Sequence, residues 1–169
     1  MVRPSHKAGA LSARDPDARW TKRSGGGHFG YKMHISVDQG SCLVHRAAMA
    51  AANVNDTVEA DHLVMGDEGA VYADMASSNH DRRARLKARG IKDRIMPLPH
   101  KTQPQLPPWK QRRNALISQT RRQVEKIFGT LKRRYGYRQV RYLGLMRNDN
   151  HLQLLCVALN MRRTVVLAP

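Results

Sequence analysis

Residues 30–38, GYKMHISVD, set Tyr31, Met33, Ile35 and Val37 in strict alternation with Lys32, His34, Ser36 and Asp38. A period of two predicts a β-strand with one apolar and one polar face. Gln39 and Gly40 read as a turn, and CLVHRAAMAA at 42–51 reads as the returning strand of a hairpin. A hairpin with one apolar face must be covered by a second layer, and that requirement constrains the rest of the chain.

The remaining segments supply such layers. Asn55-Asp56-Thr57 reads as a helix start with Thr57 as N-cap, and the helix should run to about Met65; Ala60 at its third position leaves the capping box incomplete. AVYAD at 70–74 is a compact apolar run ending in an acid, as expected of a buried strand in a mixed sheet. SSNHDRRARLKAR at 77–89 predicts a basic helix stopped by Gly90, and IKDRIMPL a further strand closed by Pro97 and Pro99. Residues 97–109 hold five prolines and read as a loop. A long helix should follow from about Lys110 to Arg134, with Ile117, Val124, Phe128 and Leu131 on its apolar side, ended by Tyr135-Gly136-Tyr137. The last helix should start at Asn148 or Asp149 as N-cap, with an apolar face broad enough to be buried. Residues 1–27, with SGGG at 24–27, read as a flexible basic segment without a core; residues 28–169 read as an α/β domain.

Charge narrows the function. The 169 residues carry a formal net charge of +17, which favours a polyanionic partner, nucleic acid first. An anionic membrane surface fits less well, because no long basic amphipathic helix with bulky aromatics is present. The longest apolar run, LQLLCVALNM at 152–161, is too short to span a bilayer. The N-terminal residues lack the apolar stretch of a signal peptide, so a cytoplasmic location is expected. Cys42 and Cys156 stand far apart, and the eight histidines are scattered without metal-ligand spacing. Residues 82–89, RRARLKAR, read as a solvated helix face or a track for a phosphate backbone. Trp20 and Trp109 are expected in loops, packed there or stacked on unpaired bases.

Two acids stand out. Between Asp93 and Asp149 the chain has fourteen Lys and Arg and one carboxylate, Glu125. On a helix, Arg121, Glu125 and Lys132 fall within about 40° of one stripe. Glu125 either pairs with Arg121 four residues earlier, worth about 0.3–0.5 kcal/mol, or serves a purpose that needs an acid among cations. Asp74, at the end of an apolar strand, is either a helix cap or a site residue at a strand terminus.

The blocks RDPDARW (14–20), FGYKMHISVD (29–38), AANVND (51–56), YAD (72–74), RRQVEKIFGTLKRRYGYRQVRYLGL (121–145) and NDNHLQLL (148–155) with ALN (158–160) bear on these readings. Together they resemble the C-terminal catalytic portion of bacterial insertion-sequence DDE transposases, in the group marked by a Tyr, Arg, Glu and Lys signature. The resemblance implies an RNase H-like mixed sheet flanked by helices and DNA strand cleavage and transfer at element ends. It also implies two Mg²⁺ (or Mn²⁺) ions, which in such sites lie about 3.5–4 Å apart. It makes Asp74 and Glu125 the second and third acids of the catalytic triad and metal ligands. It makes Arg121 and Lys132, with Arg122, Arg133 and Arg134 beside them, contacts to double-stranded DNA. Hard cations need carboxylate oxygens while the surrounding DNA needs Lys and Arg, so acids set in a basic surface suit this chemistry.

The chain departs from the family pattern in two places. Ser118 stands where the signature tyrosine belongs. The first catalytic Asp of the family, on the first strand of the sheet, would precede Met1, and Asp15, Asp17 and Asp38 do not replace it. The expectation is an N-terminally truncated, inactive copy lacking the first strand, acting as a homo-oligomer or with a complementing N-terminal fragment. The alternative is a non-catalytic basic nucleic-acid-binding protein in which Glu125 is structural.

Overall fold

The computed structural model describes residues 14–23, 25–75, 78–97 and 105–168. The elements run β1 (Arg19–Arg23), β2 (Gly26–Val37), β3 (Val44–Ala51), α1 (Asp56–His62), β4 (Ala70–Ala73), α2 (His80–Ala88), β5 (Lys92–Ile95), α3 (Pro108–Arg134) and α4 (Leu145–Leu167). The strands form two sheets: antiparallel β1-β2-β3 and a parallel pair, β4-β5. This mixed α/β arrangement is compatible with the RNase H-like class, although its sheet is in two pieces.

The alternation over 30–38 produces the expected hairpin. Ile35 is buried, and Tyr31, Met33 and Val37 pack with it against Leu131 of α3 and Leu152, Cys156 and Leu159 of α4. A separate, smaller core joins Leu86 of α2 to Ile91 and to Ile95 of β5, with Val71 and Ala73 of β4 packed against it. α3 reaches both β2 and β4. It is therefore the element that ties the two cores together.

Several expectations need correction. Residues 14–27 are not without a core: Ala18 is buried, and β1 pairs with the start of β2, where Trp20 meets Phe29 at 5.5 Å between ring centroids. Gly27 serves that contact, because a Cβ on it would come within 3.2 Å of the Trp20 ring. Residues 1–13 and 24 of the segment read as flexible lie outside the described residues.

The cap of α1 is Asn55, whose side chain accepts from Thr57 N–H, so Thr57 is capped and does not cap. α2 is capped by Asn79 and stopped at Gly90, whose φ of +72° suits glycine. α3 starts at Pro108, its first helical position, where the missing N–H costs nothing. α4 starts at Leu145, three residues before the expected Asn148. One face of α4 is buried, but Leu154, Val157, Met161 and Val165 on the other are exposed.

The arginines of α2 are structural more than solvated. Arg82 is buried and donates to Asp61 at 2.7 Å and to the carbonyl of Thr57, tying α2 to α1. Arg83 bonds Asp93 of β5, and Arg85 reaches Asp61 at 2.7 Å. Among the described residues no helix is long and apolar enough to cross a membrane.

Candidate active site

The short apolar strand β4 delivers Asp74 at its C-terminal end, and α3 packs against that strand. Burial of Ile117 and Leu131 sets the rotation of α3. It turns Arg121 toward β4, and Arg121 Nη2 donates to Asp74 Oδ2 at 3.1 Å. This ion pair is partly exposed, with 31% of the Arg121 and 42% of the Asp74 side-chain surface accessible.

The pair separates the local readings left open by the sequence. Arg121 reaches across to Asp74, 47 residues away in the chain, and not along the helix to Glu125. Glu125 is exposed and makes no ion pair among the described residues. Asn79, not Asp74, caps α2, while Asp74 stands directly before the turn closed by the Ser78 N–H to Met75 C=O bond, so the turn reading holds alongside the ion pair.

Glu125 follows Arg121 by one helical turn, which places it beside the Asp74 contact but on the outer side. Arg121 and Lys132 both line a cavity of about 1910 Å³ along with Asp74, whereas Glu125 is not part of its wall. About 100° further round α3, Arg122, Lys126 and Arg133 form a second exposed stripe. Arg134 is exposed at the end of the helix. α3 thus carries nine cations and one acid over its 27 residues, a strongly positive rod. Gln123 pins it to the hairpin turn by donating to the Gln39 carbonyl at 2.8 Å.

The donor chemistry of Asp74 and Glu125 fits a hard divalent cation: both are accessible carboxylates on adjacent elements. Among the described residues, however, the group of three ligating side chains drawn together within 4.8 Å is a different one, His45, Asp67 and Glu68. The Glu68 carboxylate there already accepts from the N–H groups of Met65 at 2.7 Å and Gly66 at 2.8 Å. Those bonds hold its acidity stronger than usual against the opposing effect of burial. Sequence reasoning missed this trio, since His45 and Asp67 carry no mutual spacing signal.

The segment RYGYRQVRYLGL after α3 is packed, not extended over a surface. Tyr137 is buried and makes an edge contact with His151 of α4 at 5.2 Å, and Tyr142 makes another at 5.3 Å. Trp20 stands on β1, not in a loop, while Trp109 in the first turn of α3 is 62% exposed with Lys110 over its ring.

With this geometry in place, the comparison with known proteins is decisive at the level of family. The model of the transposase DDE domain matches residues 3–161, nearly the whole chain, and the chain belongs to that family. Membership implies DNA as the partner and the use of divalent metal. No solved structure matches the chain.

Proposed function

We propose that the chain contributes Asp74 and Glu125 to a DDE-type site that cleaves and transfers DNA strands at insertion-sequence ends. The observation that carries this reading is the Asp74–Arg121 bond. It fixes the acid at the end of β4 against the turn of α3 that also holds Glu125, inside an otherwise cationic helix. In this reading the two carboxylates hold Mg²⁺ or Mn²⁺, two ions in the complete site. When bound, the metal supplies Lewis-acid activation of the attacking oxygen and stabilisation of the leaving one.

The remaining work falls to the chain's own side chains. Arg121 keeps the Asp74 carboxylate oriented. Lys132 stands beside the cavity where a phosphate would enter, and Arg122, Arg133 and Arg134 hold the duplex by its backbone without reading sequence. Asp74 and Glu125 account for two acids of a triad, so the reaction needs one further carboxylate beside them.

The second reading, a nucleic-acid-binding protein without chemistry, is favoured by the charge of α3, nine cations against one acid. Calorimetric titration with Mn²⁺ separates the two. The catalytic reading expects Asp74→Asn and Glu125→Gln each to weaken Mn²⁺ binding by about tenfold or more, with DNA affinity unchanged or raised. His45→Ala is the control for the second acidic group. If only His45→Ala alters Mn²⁺ binding, Asp74 and Glu125 are not ligands and the binding-protein reading stands.

A further inference from the structure

The hairpin ladder breaks its register at one residue of β3. Ser36 pairs with Arg46 and Val37 with Val44, so His45 has no partner across the ladder. A bulge of this kind inserts one residue and re-aims its side chain. Regular alternation would put His45 on the face of Ala47 and Met49, which is core. The bulge sends Val44 into that core instead and leaves His45 exposed. The imidazole then stands beside Asp67 and Glu68 in the loop between α1 and β4. One ligand atom from each of the three lies within 4.8 Å of the others.

In a chain with thirty Lys and Arg, acids readily take cationic partners. Asp56 pairs with Lys32, Asp61 with Arg82 and Arg85, and Asp93 with Arg83. Asp67 and Glu68 make no such pair among the described residues. Arginine is not lacking nearby. Arg46 Nη1 meets Met65 Sδ at 3.0 Å, and Arg89 Nη1 would lie 3.4 Å from a Cβ on Gly66. Two adjacent carboxylates thus face an imidazole and not a guanidinium. The Glu68 oxygens are held by Met65 N–H at 2.7 Å and Gly66 N–H at 2.8 Å, and each keeps a second lone pair. The His45 imidazole and the Asp67 carboxylate have no hydrogen-bond partner among the described residues.

We propose that His45, Asp67 and Glu68 bind a borderline divalent ion of the Zn²⁺ class, at a site made of different residues from Asp74 and Glu125. Imidazole suits Zn²⁺, whereas Mg²⁺ prefers oxygen ligands alone. Two carboxylates and a neutral nitrogen cancel the charge of the ion, which a chain of net charge +17 would otherwise repel. Zn²⁺ bonds of about 2.0–2.2 Å set tetrahedral donors about 3.4 Å apart, so the trio closes by at most about 1.4 Å. His45 and Asp67 are exposed and can make that adjustment by changing rotamer. Three protein ligands leave the fourth position to water. The bound ion fastens β3 of the antiparallel sheet to the loop that leads into β4 of the parallel pair.

The test is a Zn²⁺ titration of the full chain, followed by calorimetry and by the ring-proton resonances of His45. One equivalent of Zn²⁺ should shift those resonances and raise the melting temperature. His45→Ala and Asp67→Asn should each weaken Zn²⁺ binding by more than about tenfold, and both change exposed side chains that the fold does not need. Asp74→Asn should bind Zn²⁺ as the parent does, and millimolar Mg²⁺ should not displace it. The site is overturned if His45→Ala binds Zn²⁺ like the parent, or if Mg²⁺ displaces the ion. Loss of Zn²⁺ binding in Asp74→Asn would overturn its separateness by assigning the ion to the Asp74 site. An unmoved melting temperature would overturn the cross-link.

Discussion

Arg121 has two carboxylates within reach along its side of α3, and its choice of Asp74 over Glu125 defines the candidate site. Glu125 could be singled out from sequence because it is the lone acid in a long cationic stretch. Its relation to Asp74 could not, because the link runs through a cross-chain contact that no local spacing encodes. The same is true of His45, Asp67 and Glu68, which only the packed chain brings together. A further residue of this kind is His34. It looks like the polar face of a strand, yet its Nε2 is buried without a hydrogen-bond partner among the described residues. Burial lowers its pKa below the usual 6.5, against the opposing pull of Asp56 and Glu59. The unfolded chain thus takes up a proton near pH 6.5 that the folded chain resists. The contribution to stability is intact above that pH and is lost as pH falls through the lowered folded value. His34→Phe should flatten the fall in stability between about pH 7 and pH 5 relative to the parent, measured by urea unfolding at each pH. An identical slope in the two proteins would show that His34 does not drive it.

At the scale of elements, the start of α4 shows how a helix terminus escapes sequence reading. Its N-cap, Gly144, has a φ of +87° and no capping side chain. The orphan donors are satisfied from the other end of the chain: Asp17 accepts from Leu145 N–H at 2.9 Å and Asp15 from Gly144 N–H at 3.3 Å. Asp15 also accepts from the Tyr31 hydroxyl at 2.7 Å, and burial together with that bond pushes the Tyr31 pKa up. Asn148, which resembles a cap, is instead fully buried inside the first turn, bonded to the carbonyls of Tyr142 at 2.7 Å and Gly144 at 2.8 Å. Asp149, the other apparent cap, accepts from Met49 N–H of β3 at 2.8 Å. Asn148→Ala strands three backbone contacts in a dry site and should cost about 3 kcal/mol. Asp17→Ala removes one exposed cap and should cost about 1 kcal/mol. Denaturant midpoints check both, and equal losses would contradict this division of labour. The hairpin, β4, α2 and α3 were legible because their periodicity is local. β1 was not, since it pairs with Gly26–Gly30, a glycine-rich stretch that carries no alternation.

For the molecule as a whole, charge and core pull in different directions. A net +17 suits a chain that spends its working life against phosphates, but in their absence it opposes compaction. The apolar material that resists this repulsion is divided between a larger cluster on β2, β3 and α4 and a smaller one of Leu86, Ile91 and Ile95. α3 spans both. Two cores joined through α3 and through the Lys32–Asp56 pair between β2 and α1 do not have to melt together. Heating the free chain should therefore give two calorimetric transitions, the first belonging to β4, α2 and β5, with exchange of the Ile91–Ile95 amides collapsing before that of Ile35 and Met49. A single sharp transition, with all these amides lost at one temperature, would mean that α3 couples the halves fully. The divided core makes cooperativity depend on what lies between the clusters: anything that fused them would be expected to merge the two transitions into one.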